Sequence, residues 1–216
     1  AEITTVIDRG AMAVLDGGGG FGHQVSLEAV GMAARKARLF GIGAAAVRNS
    51  HHYGAAGLYA KRIAEQGLLG ISTTAVWRPA IVPTGGSQPM LGTNPIAFAA
   101  PAAKNRPFLL DMATSTAAIG KLRVKFFNDE PVPAGWVFDD AGNWERDAET
   151  ALANPKLSPL GGDEEQGGHK GYGLAAMVEI LSTTLAGATF APLRPATQVT
   201  HGVGHFFLAI DPAFFR

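Results

Sequence analysis

The chain of 216 residues is 47% hydrophobic and 17% charged, which is enough to bury a sizeable core and excludes disorder over most of its length. Eighteen Lys and Arg residues balance eighteen Asp and Glu residues, so neither nucleic acid nor an anionic membrane is an expected partner. The absence of cysteine excludes disulfides and thiolate metal sites, and without a long apolar run or a leader pattern we expect a cytoplasmic protein.

Glycine and proline divide the sequence into short segments whose hydrophobic period can be read. A strand is expected at 11–15, and the apolar spacing from Leu27 to Leu39 predicts an amphipathic helix that ends at Gly41. The segments that follow predict strands at 42–47, 69–74, 96–100 and 108–110, helices at 55–66, 113–119 and 171–186, and an irregular excursion at 128–165. Strands that alternate with helices are typical of an α/β or α+β layered domain.

Residues 17–22 satisfy the spacing G-x-G-x-x-G, follow a predicted strand and precede the first helix. A dinucleotide fingerprint also needs an acidic residue about 20 positions later, and no Asp or Glu lies between Glu28 and Glu65. The pattern therefore favours a flexible turn, or a glycine-lined pocket of another fold, over a Rossmann site.

Residues 49–54, NSHHYG, lie between a predicted strand and a predicted helix, where α/β folds gather functional groups. A neutral imidazole at this place can exchange a proton near pH 7, and the alternative is a helix cap followed by two solvated histidines. Adjacent histidines point apart and no carboxylate lies nearby, which disfavours a metal site built from His51, His52, His201 and His205.

Two further segments place polar groups at predicted helix starts. Asp111 ends a strand just before Thr114 and Ser115, and these side chains either cap the next helix or face a ligand. Lys170 lies in GGHKGYG at 167–173, where backbone N–H groups and an ammonium group can hold a phosphate. Because the Lys is followed by Gly and not by Ser or Thr, the segment is not a P-loop, and a helix turn with a chance Lys is the alternative.

Segments in one collinear order resemble the malate/L-lactate dehydrogenase family of nicotinamide-dependent oxidoreductases: DGGGGFG, VRNSHHYG, PTGG followed by LGTNPIAFAAP, LLDMATSTAAIGKLRV, PVPAGW, PLGG, GGHKGYGLAAMVEIL and GHFFLAIDP. The resemblance implies an α/β fold, a mixed sheet with packed helices, that is distinct from the Rossmann type, binds NAD or NADP and usually forms a homodimer. It also implies that residues 1–216 are a central cofactor-binding portion, because the family's upstream Ser-His-Gly segment and its later helices have no counterpart here.

The same resemblance assigns site residues. It implies that His52 accepts the proton or lies against the nicotinamide, and that Thr93 contacts the substrate. It implies that the cofactor is lined by His52, Tyr53, Gly54, Ala55, Ala56, Leu110, Asp111, Met112, His169 and Lys170. It implies no metal.

Lys121 is the second candidate catalytic residue. It follows Ala-Ile-Gly at 118–120, where imine-reducing members of the family have an acid, so a small 2-oxo acid or 2-hydroxy acid is the expected substrate and a cyclic imine the alternative. The choice between NAD and NADP stays open, although Arg78 could face a 2′-phosphate because residues 75–77 lack the family's polar stretch. A non-catalytic small-molecule binding domain and a metal-dependent hydrolase or lyase are the competing functions.

Overall fold

The computed structural model describes residues 2–198 and 202–215. This part of the chain contains the strands β1 Thr4–Arg9, β2 Met12–Gly20, β3 Ile42–Ser50, β4 Leu69–Thr74, β5 Ile96–Ala100, β6 Phe108–Met112 and β7 Val203–Ile210. Its α-helices are α1 Gly22–Phe40, α2 Ala56–Ala64, α3 Ile119–Phe127, α4 Ala148–Ala153 and α5 Gly168–Glu179. A π-helical segment, Ile180–Thr184, follows α5, and short 3₁₀ turns lie at Ala191–Leu193 and Pro212–Phe215.

The chain divides into two compact units. The first is Ala1–Trp77, Pro95–Met112 and Val178–Arg216, and the second is Arg78–Asn94 and Ala113–Met177. The first unit holds a sheet in the order β1-β2-β3-β7-β4-β5-β6. Its strands β2 and β3 run parallel, whereas the other neighbouring strands run antiparallel. The mixed α/β fold that we expected is confirmed.

Helix α1 packs on the sheet through small side chains, which let its backbone come close to β3. Val25, Ala29, Ala33 and Ala37 are buried at helical spacing. A Cβ on Gly43 would overlap the carbonyl oxygen of Ala33 and lie 2.7 Å from the backbone nitrogen of Ala37, so only glycine allows this approach. The helix then ends at Gly41, whose φ of 81° is the left-handed conformation typical of a helix stop.

The π-helical segment is packed against a buried part of the same sheet. Ala46, Ala186 and Phe206 form a small apolar cluster there. The hydroxyls of Thr73 and Ser182 form a hydrogen bond of 2.7 Å, and both side chains are fully buried. A Cβ on Gly204 would overlap the carbonyl oxygen of Ser182, so this strand and this segment are in direct backbone contact.

The second unit has an apolar core of its own, centred on buried residues of α3, α4 and the connecting segments: Ala80, Leu122, Val132, Val137, Ala148, Ala151 and Leu157. The stretch at 128–165, expected to be an irregular excursion, contributes most of this core and contains α4. Helix α4 begins where the Asp147 carboxylate accepts a hydrogen bond of 2.7 Å from the Thr150 N–H.

Several predicted boundaries differ from the structure. Strand β2, expected at 11–15, continues to Gly20, so residues 17–20 of the turn expected at 17–22 belong to a strand. Its pairing with β3 shifts register between Asp16 and Gly20 and resumes where Gly20 pairs with Ser50. The helix expected at 113–119 is also wrong, because Thr114 and Ser115 are buried in irregular backbone and α3 begins at Ile119. Helix α5 begins at Gly168, ahead of the predicted start at 171.

Among residues 2–198 and 202–215, no helix combines the length and the apolar character that a membrane crossing requires.

Candidate active site

A network of polar side chains fixes the end of β3, from which the segment that carries His52 begins. The Asp16 carboxylate accepts hydrogen bonds from the Gly18 N–H at 3.0 Å, from the Asn49 amide at 2.9 Å and from the Arg48 guanidinium at 3.1 Å. Partial burial by itself raises the pKa of Asp16, but these hydrogen bonds and the Arg48 charge outweigh it and lower the pKa below its ordinary value of 3.8. Asn49 has a φ of 50°, a left-handed conformation that this network holds in place.

The glycines that follow Asp16 allow the backbone of the His52 segment to pack closely against them. A Cβ on Gly17 would lie 3.0 Å from the Asn49 carbonyl oxygen. A Cβ on Gly22 would overlap the carbonyl oxygen of His51 and lie 2.8 Å from that of His52. The glycine run is therefore packed against the backbone of the candidate catalytic segment.

His52 lies on irregular backbone between β3 and α2, and its side chain is exposed. Its Nδ1 accepts a hydrogen bond of 3.0 Å from the Gly54 N–H. A nitrogen that accepts from a backbone N–H cannot carry a proton itself, so a neutral His52 carries its proton on Nε2. Nε2 is therefore the atom that can donate to the oxygen of a bound carbonyl compound.

Asp111, near the end of β6, contacts the start of α2, directly after the His52 segment. Its carboxylate accepts a hydrogen bond of 2.8 Å from the Gly57 N–H in the first turn of α2. A carboxylate is stabilised there by the positive end of the helix. The structure thus brings together the predicted groups at 52–56 and 110–112, all of which belong to the first unit.

These predicted cofactor contacts do not all present a side chain to solvent. The ring of Tyr53 and the side chain of Ala56 are buried in the main core, so any contact with a bound molecule comes from their backbone. Leu110 is exposed, Met112 is half-buried, and both lie on β6, which has a strand neighbour on one side only within the described sheet. The edge of β6 therefore offers backbone groups to a ligand.

In the second unit, Thr93 is held by its neighbours through its backbone. The N–H and the hydroxyl of Thr114 lie 3.0 and 3.1 Å from the Thr93 carbonyl oxygen and donate to it. The next residue, Asn94, is buried and donates from its side-chain amide to the Ala175 carbonyl oxygen of α5 at 3.1 Å. The Thr93 segment and helix α5 are thereby fixed to each other.

His169 and Lys170 are exposed in the first turn of α5. The earlier start of this helix places both side chains on the helix and not in a loop before it. The N–H groups of Gly168 and Lys170 donate to the carbonyl oxygens of Asp163 and Gly167, so the exposed Lys170 ammonium is the group here that suits an anion such as a phosphate. The geometry is compatible with the predicted contact and does not depend on a P-loop.

Lys121 lies in the first turn of α3, and its Nζ is 5.6 Å from the ring centroid of Trp136. This distance is within the range of a cation–π contact. The side chain is exposed. A Lys held over an aromatic ring keeps a positive charge at a defined place, which suits recognition of a carboxylate.

A groove of about 420 Å³ lies elsewhere in the second unit. It is lined by residues of the PTGG segment and by four acidic residues, Asp139, Asp140, Asp163 and Glu164. Asp140 forms an ion pair with Lys156, and the other three acidic residues make the groove a poor match for the phosphates of a dinucleotide or for an organic acid.

Comparison with known proteins shows which family this chain matches. The family model described as malate/L-lactate dehydrogenase matches residues 1–216. The chain belongs to this family. A malate dehydrogenase of Pyrococcus abyssi is 50% identical over 216 residues, which are 99% of this chain and 59% of that protein. An L-sulfolactate dehydrogenase of Methanothermobacter thermautotrophicus is 37% identical over 216 residues, 98% of this chain and 60% of that protein.

Solved structures agree with this membership of the malate/L-lactate dehydrogenase family. The crystal structure of a malate dehydrogenase from Entamoeba histolytica superposes with a TM-score of 0.95 at 36% identity. The superposition covers 100% of this chain and 62% of that one. The chain therefore has the family's fold, and it spans about three fifths of the length of the relatives that it matches.

Sequence reasoning passed over two histidines of this family member. His23, in the first turn of α1, lies close to Gly54, because a Cβ on Gly54 would be 2.8 Å from its Nε2. His205, considered only as a weak metal ligand, is fully buried next to the His52 segment. Its position after Gly204, at the head of the apolar run that begins at Phe206, was the available signal, since an imidazole buried there must have polar partners.

The histidines do not form a metal site in the described part of this dehydrogenase-family chain. Within residues 2–198 and 202–215, no three side chains of His, Asp or Glu are grouped as metal ligands would be. His201, one of the four histidines of that hypothesis, lies outside the described residues.

Proposed function

We propose that the full protein is an NAD(P)-dependent dehydrogenase that interconverts a small 2-oxo acid and the corresponding 2-hydroxy acid. The observation that carries the proposal is the match of residues 1–216 to the malate/L-lactate dehydrogenase family, with His52 exposed at a rigid strand end. The names of the matched relatives, malate and L-sulfolactate dehydrogenases, support a hydroxy acid as the substrate class.

The residues of the first unit fit a dinucleotide in outline. Residues 54–57 are Gly-Ala-Ala-Gly, and the spaces beside Gly54 and Gly57 are occupied by His23 and Asp111. A ligand would therefore approach this stretch at Ala55, which is exposed. Residues 52–56 and 110–112 of this unit are proposed to hold the cofactor. For His169 and Lys170, in the second unit, the proposed phosphate contact rests on the family resemblance alone. When bound, the nicotinamide supplies or accepts the hydride.

The chain's own groups then handle the proton and the substrate charge. His52 is proposed to exchange the proton through Nε2: the doubly protonated ring donates Nε2–H to the carbonyl oxygen of the 2-oxo acid and is left neutral. The proton that Nδ1 carries in that form replaces the hydrogen bond that Nδ1 accepts from the Gly54 N–H. Thr93 and Lys121 are proposed to hold the substrate, with the Lys ammonium facing its carboxylate. Location in the cytoplasm and assembly as a homodimer are part of the proposal and are supported by the family resemblance.

The test is a panel assay with the longest natural gene product, following the absorbance of the reduced nicotinamide. NADH and NADPH are tried separately with pyruvate, oxaloacetate, sulfopyruvate and a cyclic imine. We expect oxidation with at least one acyclic 2-oxo acid and much slower turnover of the imine. Folded protein that is silent over the whole panel contradicts the dehydrogenase proposal, and turnover of the imine that matches the best 2-oxo acid contradicts the proposed substrate class.

A His52→Gln variant checks the assigned proton donor. It should lower kcat by about two to four orders of magnitude, which is the usual contribution of general acid–base catalysis. Cofactor affinity, measured by quenching of protein fluorescence, should change little because Gln keeps the size and polarity of the side chain. Retention of wild-type kcat would show that another group exchanges the proton.

A further inference from the structure

His205 is a buried titratable side chain that the proposed chemistry does not use. It lies in β7 and is fully buried. Its Nδ1 is 2.7 Å from the Thr74 hydroxyl oxygen and its Nε2 is 3.2 Å from the Ser50 hydroxyl oxygen. Burial lowers the pKa of His205 to about 3, so the ring is neutral and serves as one donor and one acceptor.

The ring spans the one irregular place in the pairing of β3 with β7. The register of these strands is continuous from Ile42 to Val47, shifts between Val47 and Ser50, and resumes at Ser50. Arg48 and Asn49 lie in the shifted part, and Asn49 has the left-handed backbone conformation described above. Where the backbone ladder is interrupted, the side-chain hydrogen bond of His205 to Ser50 takes its place.

The same ring also supports the residue that follows His52. The rings of His205 and Tyr53 stack with centroids 4.5 Å apart and an angle of 3° between their planes. The Tyr53 hydroxyl is fixed in turn by the Ser72 hydroxyl at 3.1 Å. His52 is therefore bracketed, with Ser50 on one side and Tyr53 on the other both held by His205.

We propose that His205 is a positioning residue that fixes the Ser50–Tyr53 segment and thereby sets the orientation of the His52 imidazole. The proposal rests on the proposed function insofar as His52 exchanges a proton with the substrate. It concerns the arrangement of the segment and can be measured without turnover.

Adjacent threonines of β4 provide a matched pair of variants. Thr74→Val removes the hydroxyl that holds His205 and that also donates to the Gly204 carbonyl oxygen at 3.0 Å, whereas Thr73→Val removes a buried hydroxyl that holds Ser182 in the π-helical segment. Each substitution keeps the side-chain shape and deletes one buried hydrogen-bonding hydroxyl. Both variants should lose a similar few degrees of Tm. His205→Phe keeps the stacked ring and removes both hydrogen bonds.

The first readout is amide hydrogen exchange over residues 50–54 in the full protein. We expect exchange in this segment to be at least about tenfold faster in Thr74→Val and His205→Phe than in wild type, and unchanged in Thr73→Val. The second readout is steady-state kinetics with the best 2-oxo acid of the panel. Here kcat should fall by about tenfold to a hundredfold in the same two variants, with a smaller change in KM and no change in Thr73→Val.

These two measurements distinguish a failure of the positioning proposal for His205 from a failure of the proposed dehydrogenase function. If wild type turns over a panel substrate but Thr74→Val and His205→Phe behave like Thr73→Val in both readouts, His205 has only a structural role and the positioning proposal is overturned. If wild type is silent on every substrate while exchange rises only in those two variants, the proposed function fails and the positioning contact is supported. Should His205→Phe fail to fold, the comparison of Thr74→Val with Thr73→Val decides.

Discussion

His52 and Tyr53 are neighbours in the chain, but their side chains have opposite environments. His52 is exposed, whereas Tyr53 is fully buried between His205 and Tyr59. Successive side chains of an extended segment point to opposite sides, so a block of adjacent motif residues cannot line a ligand with every side chain. If the block at 52–56 lines a ligand, His52 would contribute its imidazole, and Tyr53 and Ala56 only their backbone.

Arg78 is the residue for which we predict an effect on cofactor choice. It is exposed, and it follows residues 75–77, which stand in place of the family's polar stretch, so we propose that it faces the 2′-phosphate of NADP. Loss of a charge-assisted contact with phosphate in Arg78→Ala should lower the ratio of kcat/KM for NADPH to that for NADH by about tenfold or more. The ratio is measured with each cofactor varied at a saturating concentration of the best 2-oxo acid.

Arg9→Ala is the control for this prediction, because Arg9 is an exposed Arg on β1 with no assigned role at the site. It removes the same net charge. An equal change of the ratio in both variants, or no change in Arg78→Ala, would mean that Arg78 does not contact the 2′-phosphate.

At the scale of elements, the glycines of β2 and of the start of α1 contribute to the candidate site through close backbone packing and not through a side chain. Gly22 begins α1, and a Cβ there would overlap the backbone of His51 and His52. Gly22→Ala should therefore displace the candidate catalytic segment and lower the free energy of unfolding by about 1–3 kcal/mol, as overpacking in a close contact usually does. We also expect lower kcat. Urea unfolding and the panel assay measure the two effects.

Gly173→Ala is the matched control for Gly22→Ala, since it makes the same change on a helix where a Cβ meets nothing within 4 Å. Alanine favours the helix over glycine, so this variant should gain roughly 0.5–1 kcal/mol and keep wild-type kcat. If Gly22→Ala were as stable and as active as Gly173→Ala, close packing of the glycine run on the His52 segment would not matter.

The predicted helix at 113–119 was wrong because the side chains at its expected start bind backbone groups outside a helix. Thr114 and Ser115 have the residue types of helix caps, but Thr114 donates to the backbone of Thr93 and Asn94, and Ser115 to that of Ala117. Ser and Thr side chains compete with the helix for backbone groups, and distant partners decided the outcome here. The start of α5 at Gly168 likewise depended on contacts of the preceding loop, such as the hydrogen bond from Gly168 N–H to Asp163.

At the scale of the whole molecule, Asp16 should make stability depend on pH. Its pKa is lower in the folded chain than its ordinary value of 3.8, so its contribution is fully present above that value and is lost as pH falls through the folded pKa. At pH 7, Asp16→Asn should reduce the free energy of unfolding by about 1–2 kcal/mol, because it removes charge-assisted hydrogen bonds. Near pH 3 the difference from wild type should shrink.

Urea unfolding of wild type and Asp16→Asn at several pH values between 7 and 3 measures this difference. Glu28→Gln, a change at an exposed carboxylate on α1, serves as the control and should show a small difference that varies little with pH. A constant difference between Asp16→Asn and wild type over the whole pH range would contradict the assignment of the network to the ionised carboxylate.

The sequence by itself determined the family, the alternation of strands and helices and the candidate site residues. Period and turn chemistry are local properties of a chain, which is why α1 with its stop at Gly41, β4 and β5 were predicted closely. A collinear set of motifs is likewise visible in a sequence, and the family model confirmed it over residues 1–216.

Only the tertiary structure decided which of those residues meet. Asp111 reaches the start of α2 because β6 closes one edge of the sheet, and His205 reaches Ser50 and Thr74 because β7 lies between β3 and β4. These partners are up to 155 positions apart in the chain. Strand order and register set such contacts, and they depend on packing of the entire sheet, which no local pattern of residues encodes.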